Sequence, residues 1–188
     1  MKKKVGRFFV LSAPSGTGKT TLLNRLLADF PDLGISVSCT TRKPRSGERE
    51  GIDYRFVNEK TFQDRVARGE FFEWEEVHGS FYGTPKAPIV ERRAKGLDTI
   101  FDLDTRGALN FKLAYPESRI LFIAPPSLEV LEQRLRHRQT EAEESLQRRL
   151  ENARREISEK DRFDYVIIND NLDRAYKELK GIFLKNRI

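Results

Sequence analysis

Apolar positions along this chain switch repeatedly between two spacings. FFVLS over 8–12 is a short apolar run that predicts a buried strand. After a glycine-rich turn, Leu22, Leu23, Leu26 and Leu27 recur at helical spacing, and Pro31 ends that helix. A loose alternation over 35–39 predicts a short strand, and 54–57 again reads as extended. Phe62 and Val66 share one face of a short helix over 60–68, which Gly69 closes. Residues 71–77 read as extended or irregular, with Gly79 and Gly83 bracketing a turn. The pattern then gives a helix over 85–95 stopped by Gly96, a strand over 97–103, and a short helix over 107–115 ending at Pro116. A strand over 119–124 runs into Pro125 and Pro126, and Ser127 is placed to cap a helix from Leu128. A long charged helix over 141–160, a strand over 164–169 and an amphipathic helix over 172–183 complete the chain.

Strands alternating with helices predict an α/β fold: an open, mostly parallel sheet with helices on both faces. Two stretches break the alternation, roughly 40–85 and 134–149, and each reads as an insert on the sheet. No internal repeat or low-complexity segment is present. A length of 188 residues suits one core.

Composition changes this picture little. Hydrophobic residues at 38% and charged residues at 34% fit a globular chain and exclude a disordered one. A net charge of +6 points to an anionic partner, either a nucleic acid or a polyphosphate ligand. The single cysteine, Cys39, excludes an intrachain disulfide and fits a reducing compartment. Met1-Lys2-Lys3-Lys4 precedes an apolar run too short for a signal peptide core, and no stretch has the length of a membrane span. The cytoplasm is the expected location, with no membrane partner.

The sharpest local signal is Ala13-Pro14-Ser15-Gly16-Thr17-Gly18-Lys19-Thr20-Thr21, between the first strand and the first helix. It fits G-x-x-x-x-G-K-[ST] except that Ala13 stands at the first glycine. A residue before proline favours extended backbone, where a Cβ is no obstacle. In such a loop the backbone N–H groups and the helix N-terminus wrap a phosphate. Lys19 reaches the β- and γ-phosphates and the Thr20 hydroxyl serves Mg²⁺. The loop identifies a phosphate donor site and leaves the acceptor open.

The first insert carries SCTTRKPRSGEREGIDYRFV. Arg42 and Arg45 present planar forks suited to phosphate oxygens, and Tyr54 adds a hydroxyl. Glu73, among aromatic residues in FFEWEE, suits the adjacent N–H donors of a guanine edge, which adenine lacks. Tyr82 and Thr84 supply further hydroxyls. Asp102 and Asp104 close a predicted strand at the end that faces the ligand crevice, and alternation puts them on one side. They are candidates for base recognition or for water-mediated contact with Mg²⁺. Cys39, His78 and His137 are too isolated for a nucleophile or a metal site.

Taken together, FFVLSAPSGTGKTTLL, SVSCTTRKPRSGEREGIDYRFV, FFEWEEVHGSFYGT, FDLD, LFIAPPS, the RLRHR–ESLQRRL arm and VIINDNLDRAYKEL resemble the guanylate kinases over nearly the whole length. The resemblance implies a P-loop kinase of one domain over 1–188, with a nucleoside-monophosphate insert at about 38–85 and a helical lid at about 134–149. The core would then comprise 1–37, 86–133 and 150–188. It implies transfer of a phosphoryl group from ATP to GMP, in a monomer or small homo-oligomer that binds no nucleic acid. It assigns Ser38, Glu73, Thr84 and Asp102 to guanine, and Arg42, Arg45, Tyr54 and Tyr82 to the GMP phosphate. Lys19 and the loop backbone would take the ATP phosphates. Arg134, Arg138 and Arg149 would close on the transferring group, Asn169 would lie near adenine, and Asp104 near the metal. Two departures stand out. His137-Arg138-Gln139 replaces a glycine-flanked arginine in the lid, and Thr105-Arg106-Gly107 puts a charge where the family often has glutamine.

Overall fold

The computed structural model describes residues 5–77, 79–136 and 143–187. In chain order its strands are β1 (Phe8–Ser12), β2 (Gly34–Ile35), β3 (Cys39–Thr40), β4 (Arg55–Phe56), β5 (Phe71–Val77), β6 (Ser80–Pro85), β7 (Thr99–Asp102), β8 (Arg119–Ala124) and β9 (Tyr165–Ile168). The helices are α1 (Lys19–Asp29), α2 (Glu59–Ala67), α3 (Ala87–Ala94), α4 (Thr105–Ala114), α5 (Leu128–Arg136), α6 (Glu143–Ser158) and α7 (Leu172–Asn186).

Five strands form the central sheet in the order β2-β7-β1-β8-β9, and every pair is parallel. A parallel sheet needs cover on both faces, which is why β1 is buried at every residue. Alternation sends its side chains two ways. Phe9 and Leu11 join Leu22, Leu23 and Leu26 of α1 and Leu179 and Phe183 of α7. Phe8 and Val10 join Ala108 and Phe111 of α4 on the opposite face. Phe101 is fully buried there, 4.4 Å from the Phe111 ring and 5.4 Å from the Phe8 ring. Truncating it to alanine should cost about 3–5 kcal/mol of stability, as for buried aromatics generally. Urea unfolding of Phe101→Ala checks this, and a loss under about 1 kcal/mol would mean that the site collapses freely.

The first insert is a second sheet, ordered β4-β3-β6-β5, with β3 antiparallel to β6 and β6 antiparallel to β5. It has its own apolar cluster of Cys39, Phe62 and Phe71, with the Phe62 and Phe71 rings stacked at 4.6 Å. Phe71 and Phe72 are neighbours on β5 and point opposite ways. Phe71 packs into that cluster, whereas Phe72 enters the main core against Phe8, Phe101 and Tyr115. A third cluster, Leu131, Leu135, Leu146, Leu150 and Ala153, pairs α5 with α6.

The structure corrects several boundaries. The single strand expected over 35–39 is two pieces, because the chain leaves the central sheet after Ile35 and enters the second sheet at Cys39. Gly83 does not bracket a turn but sits inside β6, where a Cβ would come within 3.1 Å of the Phe62 ring. The strand before Asp104 ends at Asp102, so the two aspartates do not share a strand face. Asp104 instead caps α4, accepting a hydrogen bond from the Gly107 N–H at 2.6 Å. Ser127 does cap α5, with the Val130 N–H 3.3 Å from its hydroxyl.

Candidate functional site

β7 and β8 flank β1 on either side, and α4 carries the chain from one flank to the other. The C-terminal ends of these strands open into a crevice where such sheets hold ligands. The loop from Ala13 to Gly18 lies there. Gly16 and Gly18 have φ of 91° and 90°, a left-handed backbone that other residues rarely adopt. Gly18 begins α1 with no side-chain cap and no acidic residue in the first turn. The amide groups of that turn therefore face the crevice without a protein acceptor, an arrangement suited to an anion.

The loop's shape is fixed from behind. The buried Thr17 hydroxyl donates to the Pro14 carbonyl at 2.9 Å. The Asn169 amide donates to the Thr17 carbonyl at 2.7 Å, and Arg134 donates to the Asn169 carbonyl at 2.9 Å. A Cβ on Gly18 would stand 2.6 Å from Asn169 Nδ2, and one on Gly16 would stand 2.7 Å from the Leu135 side chain. Asn169, 4% exposed, thus acts as a strut under the loop. Arg149 of α6 donates to the Ser15 hydroxyl at 2.7 Å. Arg149 therefore reaches the loop directly from α6, whereas Arg134 of α5 reaches the strut beneath it. Arg138 falls outside the described residues, as do His78, His137 and Gln139.

Beside the loop lies a cavity of about 350 Å³ lined by Ser38, Arg42, Arg45, Tyr54, Glu73, Tyr82 and Asp102, together with Glu75 and Asp104. Thr84 lies behind it, fully buried, and donates to Glu73 Oε1 at 2.5 Å. Its hydroxyl is 3.5 Å from that of Ser38. Lys19 on the first turn of α1 forms an ion pair with Asp102, so the loop and the cavity meet at this contact. Arg42 stands over the Tyr54 ring at 5.4 Å and donates to the Tyr82 hydroxyl at 3.2 Å. One end of the cavity is cationic and hydroxyl-rich. The other is acidic.

Burial holds the Glu73 carboxyl above the ordinary glutamate range, with Thr84 opposing and Asp104 reinforcing the shift. Glu75 is pushed up to about 7, first by burial and then by the Asp104 carboxylate, with Arg106 opposing. Glu156 of α6 is likewise raised to about 7 by burial and by Asp104, against the pull of Lys19. Glu156 lines a further cavity of about 780 Å³ between α4 and α6, which shares Asp104 with the first.

Three residues at or beside the site escaped the sequence reading: Glu48, which pairs with Arg42, and Glu75 and Glu156. Glu75 was recoverable, because it lies two residues from Glu73 on one strand. Glu156 lies two helical turns from Arg149 along α6, a spacing that places them on one side. Glu48 sits in a charged run that reads as solvated, and no local signal marks it. Among the described residues no group of three histidine, cysteine or acidic side chains is arranged to hold a metal unaided.

Comparison with known proteins gives one answer. A sequence model of the guanylate kinase family matches residues 5–186. The guanylate kinase of Myxococcus xanthus is 48% identical over 97% of this chain and 88% of its own length. That of Nitratidesulfovibrio vulgaris is 48% identical over 100% of this chain and 90% of its own. The crystal structure of guanylate kinase from Anaplasma phagocytophilum superimposes with a TM-score of 0.77 at 34% identity, covering 99% of this chain and 88% of that one.

Proposed function

The chain belongs to the guanylate kinase family, and from that premise we propose how its residues divide the transfer of the γ-phosphoryl group of ATP to GMP, giving ADP and GDP. The observation that carries the proposal is the cavity beside the phosphate loop. It gathers Ser38 ahead of β3, residues of β5, β6 and β7, and the Arg42–Tyr54 loop, with cationic groups at one end and carboxylates at the other.

Glu73 accepts hydrogen bonds from the ring N–H and exocyclic amine of guanine, with Ser38, Thr84 and Asp102 around the same base edge. Arg42, Arg45, Tyr54 and Tyr82 hold the GMP phosphate. The backbone from Ala13 to Gly18, with Lys19, Thr20 and Thr21, takes the ATP phosphates. Asn169 borders the adenine side and keeps the loop in shape. A GMP phosphate oxygen attacks the γ-phosphorus in line; the bond to the bridging oxygen breaks, and ADP leaves with the electron pair. The attacking oxygen is already ionised near neutral pH, so no side chain is needed as a strong base. What opposes reaction is the repulsion between two anions. Lys19, Arg42 and Arg45 offset it, joined by Arg134, Arg138 and Arg149 from the lid over 134–149. The insert over 38–85 presents the acceptor. Closure of these parts over the core excludes water from the γ-phosphate.

The donor set suits Mg²⁺. Thr20 is exposed at the first turn of α1, and Asp104 keeps one carboxylate oxygen beyond its bond to Gly107. Mg²⁺ beside phosphates needs few protein ligands and keeps its waters, so a full protein cage is unnecessary. When bound, it draws charge from the phosphate oxygens. We place the enzyme in the cytoplasm on the strength of its lone, buried cysteine. Among the described residues no helix is long and apolar enough to cross a membrane.

The direct test is ADP formation with GMP, AMP, CMP and UMP as acceptors. GMP is expected to give the highest kcat/KM. An equal or better value with another base would overturn the assignment of Glu73 and Asp102 to guanine.

A further inference from the structure

Glu48 has no part in the assignments above, yet it accepts three hydrogen bonds from the two arginines of the acceptor site. Its two oxygens accept from Arg42 Nη1 at 3.0 Å and Nη2 at 2.8 Å, a bidentate fork-to-fork pair. Glu48 Oε2 also accepts from the Arg45 backbone N–H at 2.7 Å. One carboxylate therefore fixes both arginines, Arg42 through its side chain and Arg45 through its main chain. The Arg42 and Glu48 side chains are only 17% and 19% exposed, so this is not a solvated surface pair.

The geometry leaves a specific remainder for a ligand. Arg42 spends Nε on the Tyr82 hydroxyl, both Nη1 hydrogens on Lys43 and Glu48, and one Nη2 hydrogen on Glu48. One Nη2 N–H is left. The Tyr82 hydroxyl accepts from Arg42 and so keeps its own hydrogen to donate. The Arg45 side chain makes no hydrogen bond or ion pair among the described residues. With Tyr54 beneath Arg42, these donors line the cationic end of the cavity.

We infer that Glu48 is the positioning residue of the acceptor-phosphate site. It occupies the inner fork of Arg42 and the backbone of Arg45, so that only their outward donors face the incoming phosphate. A guanidinium on a free side chain loses rotamer entropy when it grips a ligand; held by Glu48, Arg42 has already lost it. The inference rests on the reading that Arg42 and Arg45 hold the GMP phosphate, and the test separates the two.

Steady-state kinetics with GMP and ATP varied separately are measured for Glu48→Ala, Glu48→Gln, Arg42→Ala and Arg42→Ala/Glu48→Ala. Glu48→Ala should raise KM for GMP about tenfold, within the range of coupling inside one hydrogen-bonded network. KM for ATP should stay within about twofold, because the donor site has no contact with Glu48. Glu48→Gln keeps an acceptor oxygen without the charge and should fall between Ala and wild type. If Glu48→Ala does not fold, Glu48→Gln carries the test by calorimetric titration with GMP, where wild-type affinity overturns the inference. Adding Glu48→Ala to Arg42→Ala should cost less than Glu48→Ala does alone. Full additivity overturns the inference, and so does an equal rise in both KM values. A lower KM for GMP in Glu48→Ala also overturns it, since Glu48 would then be a rival of the phosphate. If Arg42→Ala raises KM and Glu48→Ala does not, only this inference fails. If Arg42→Ala leaves KM for GMP unchanged, the assignment of the phosphate site fails with it.

Discussion

Lys19→Ala should lower kcat by about 10²–10³-fold, the effect of removing one preorganised charge from a phosphoryl-transfer or oxyanion site. Lys19 opens α1 directly after the phosphate loop and carries its ammonium to the contact with Asp102, between the donor and acceptor sites. Charge builds on the bridging and terminal oxygens during transfer, and the cavity's lining holds no lysine that could replace it. The fold should survive, because the side chain is 20% exposed and its ionic partner belongs to the cavity, not to an apolar cluster. Circular dichroism and a thermal melt check the fold, and single-turnover kinetics check the chemical step. A kcat within about threefold of wild type would remove Lys19 from the transition state.

Glu73→Gln should cut kcat/KM for GMP by about 10–100-fold, since a hydrogen bond to a charged group is worth about 1.5–3 kcal/mol. Glutamine places an N–H where guanine also presents N–H, so one bond is lost and one contact becomes repulsive. KM for ATP should change little. A pH arm accompanies the variant. Glu73 has its pKa raised by burial, and a carboxylate accepts from guanine only when ionised. As pH falls, the wild-type enzyme should lose GMP affinity earlier than an ordinary glutamate would dictate. Glu73→Gln, with nothing to titrate at that position, should remove this component of the profile. Equal losses for GMP and ATP would undo the assignment.

What the sequence showed plainly was local. The strand, glycine loop and helix from Phe8 to Asp29 follow from contiguous residues, because a buried run, a positive-φ turn and an i, i+4 leucine stripe are each readable without partners. The second sheet was not readable in this way. β3 and β4 are two residues each, and they are strands because Cys39 pairs with both Arg55 and Gly83 across the chain. No pattern two residues long announces such pairing. Asp104 was misplaced for a related reason: alternation was extended one step past β7, whereas a short acidic side chain before a helix competes successfully as its cap. Family resemblance supplied the roles of Ser38 and Tyr82, whose neighbours come from distant strands. Glu48 lay in plain view but among too many charges to be singled out.

Phe71 and Phe72 bear on how the molecule comes apart. Consecutive residues of one strand anchor two different cores, so the second sheet cannot release its end of β5 without withdrawing a ring from among Phe8, Phe101 and Tyr115. Loosening of the insert and melting of the central sheet are therefore joined in one cooperative transition.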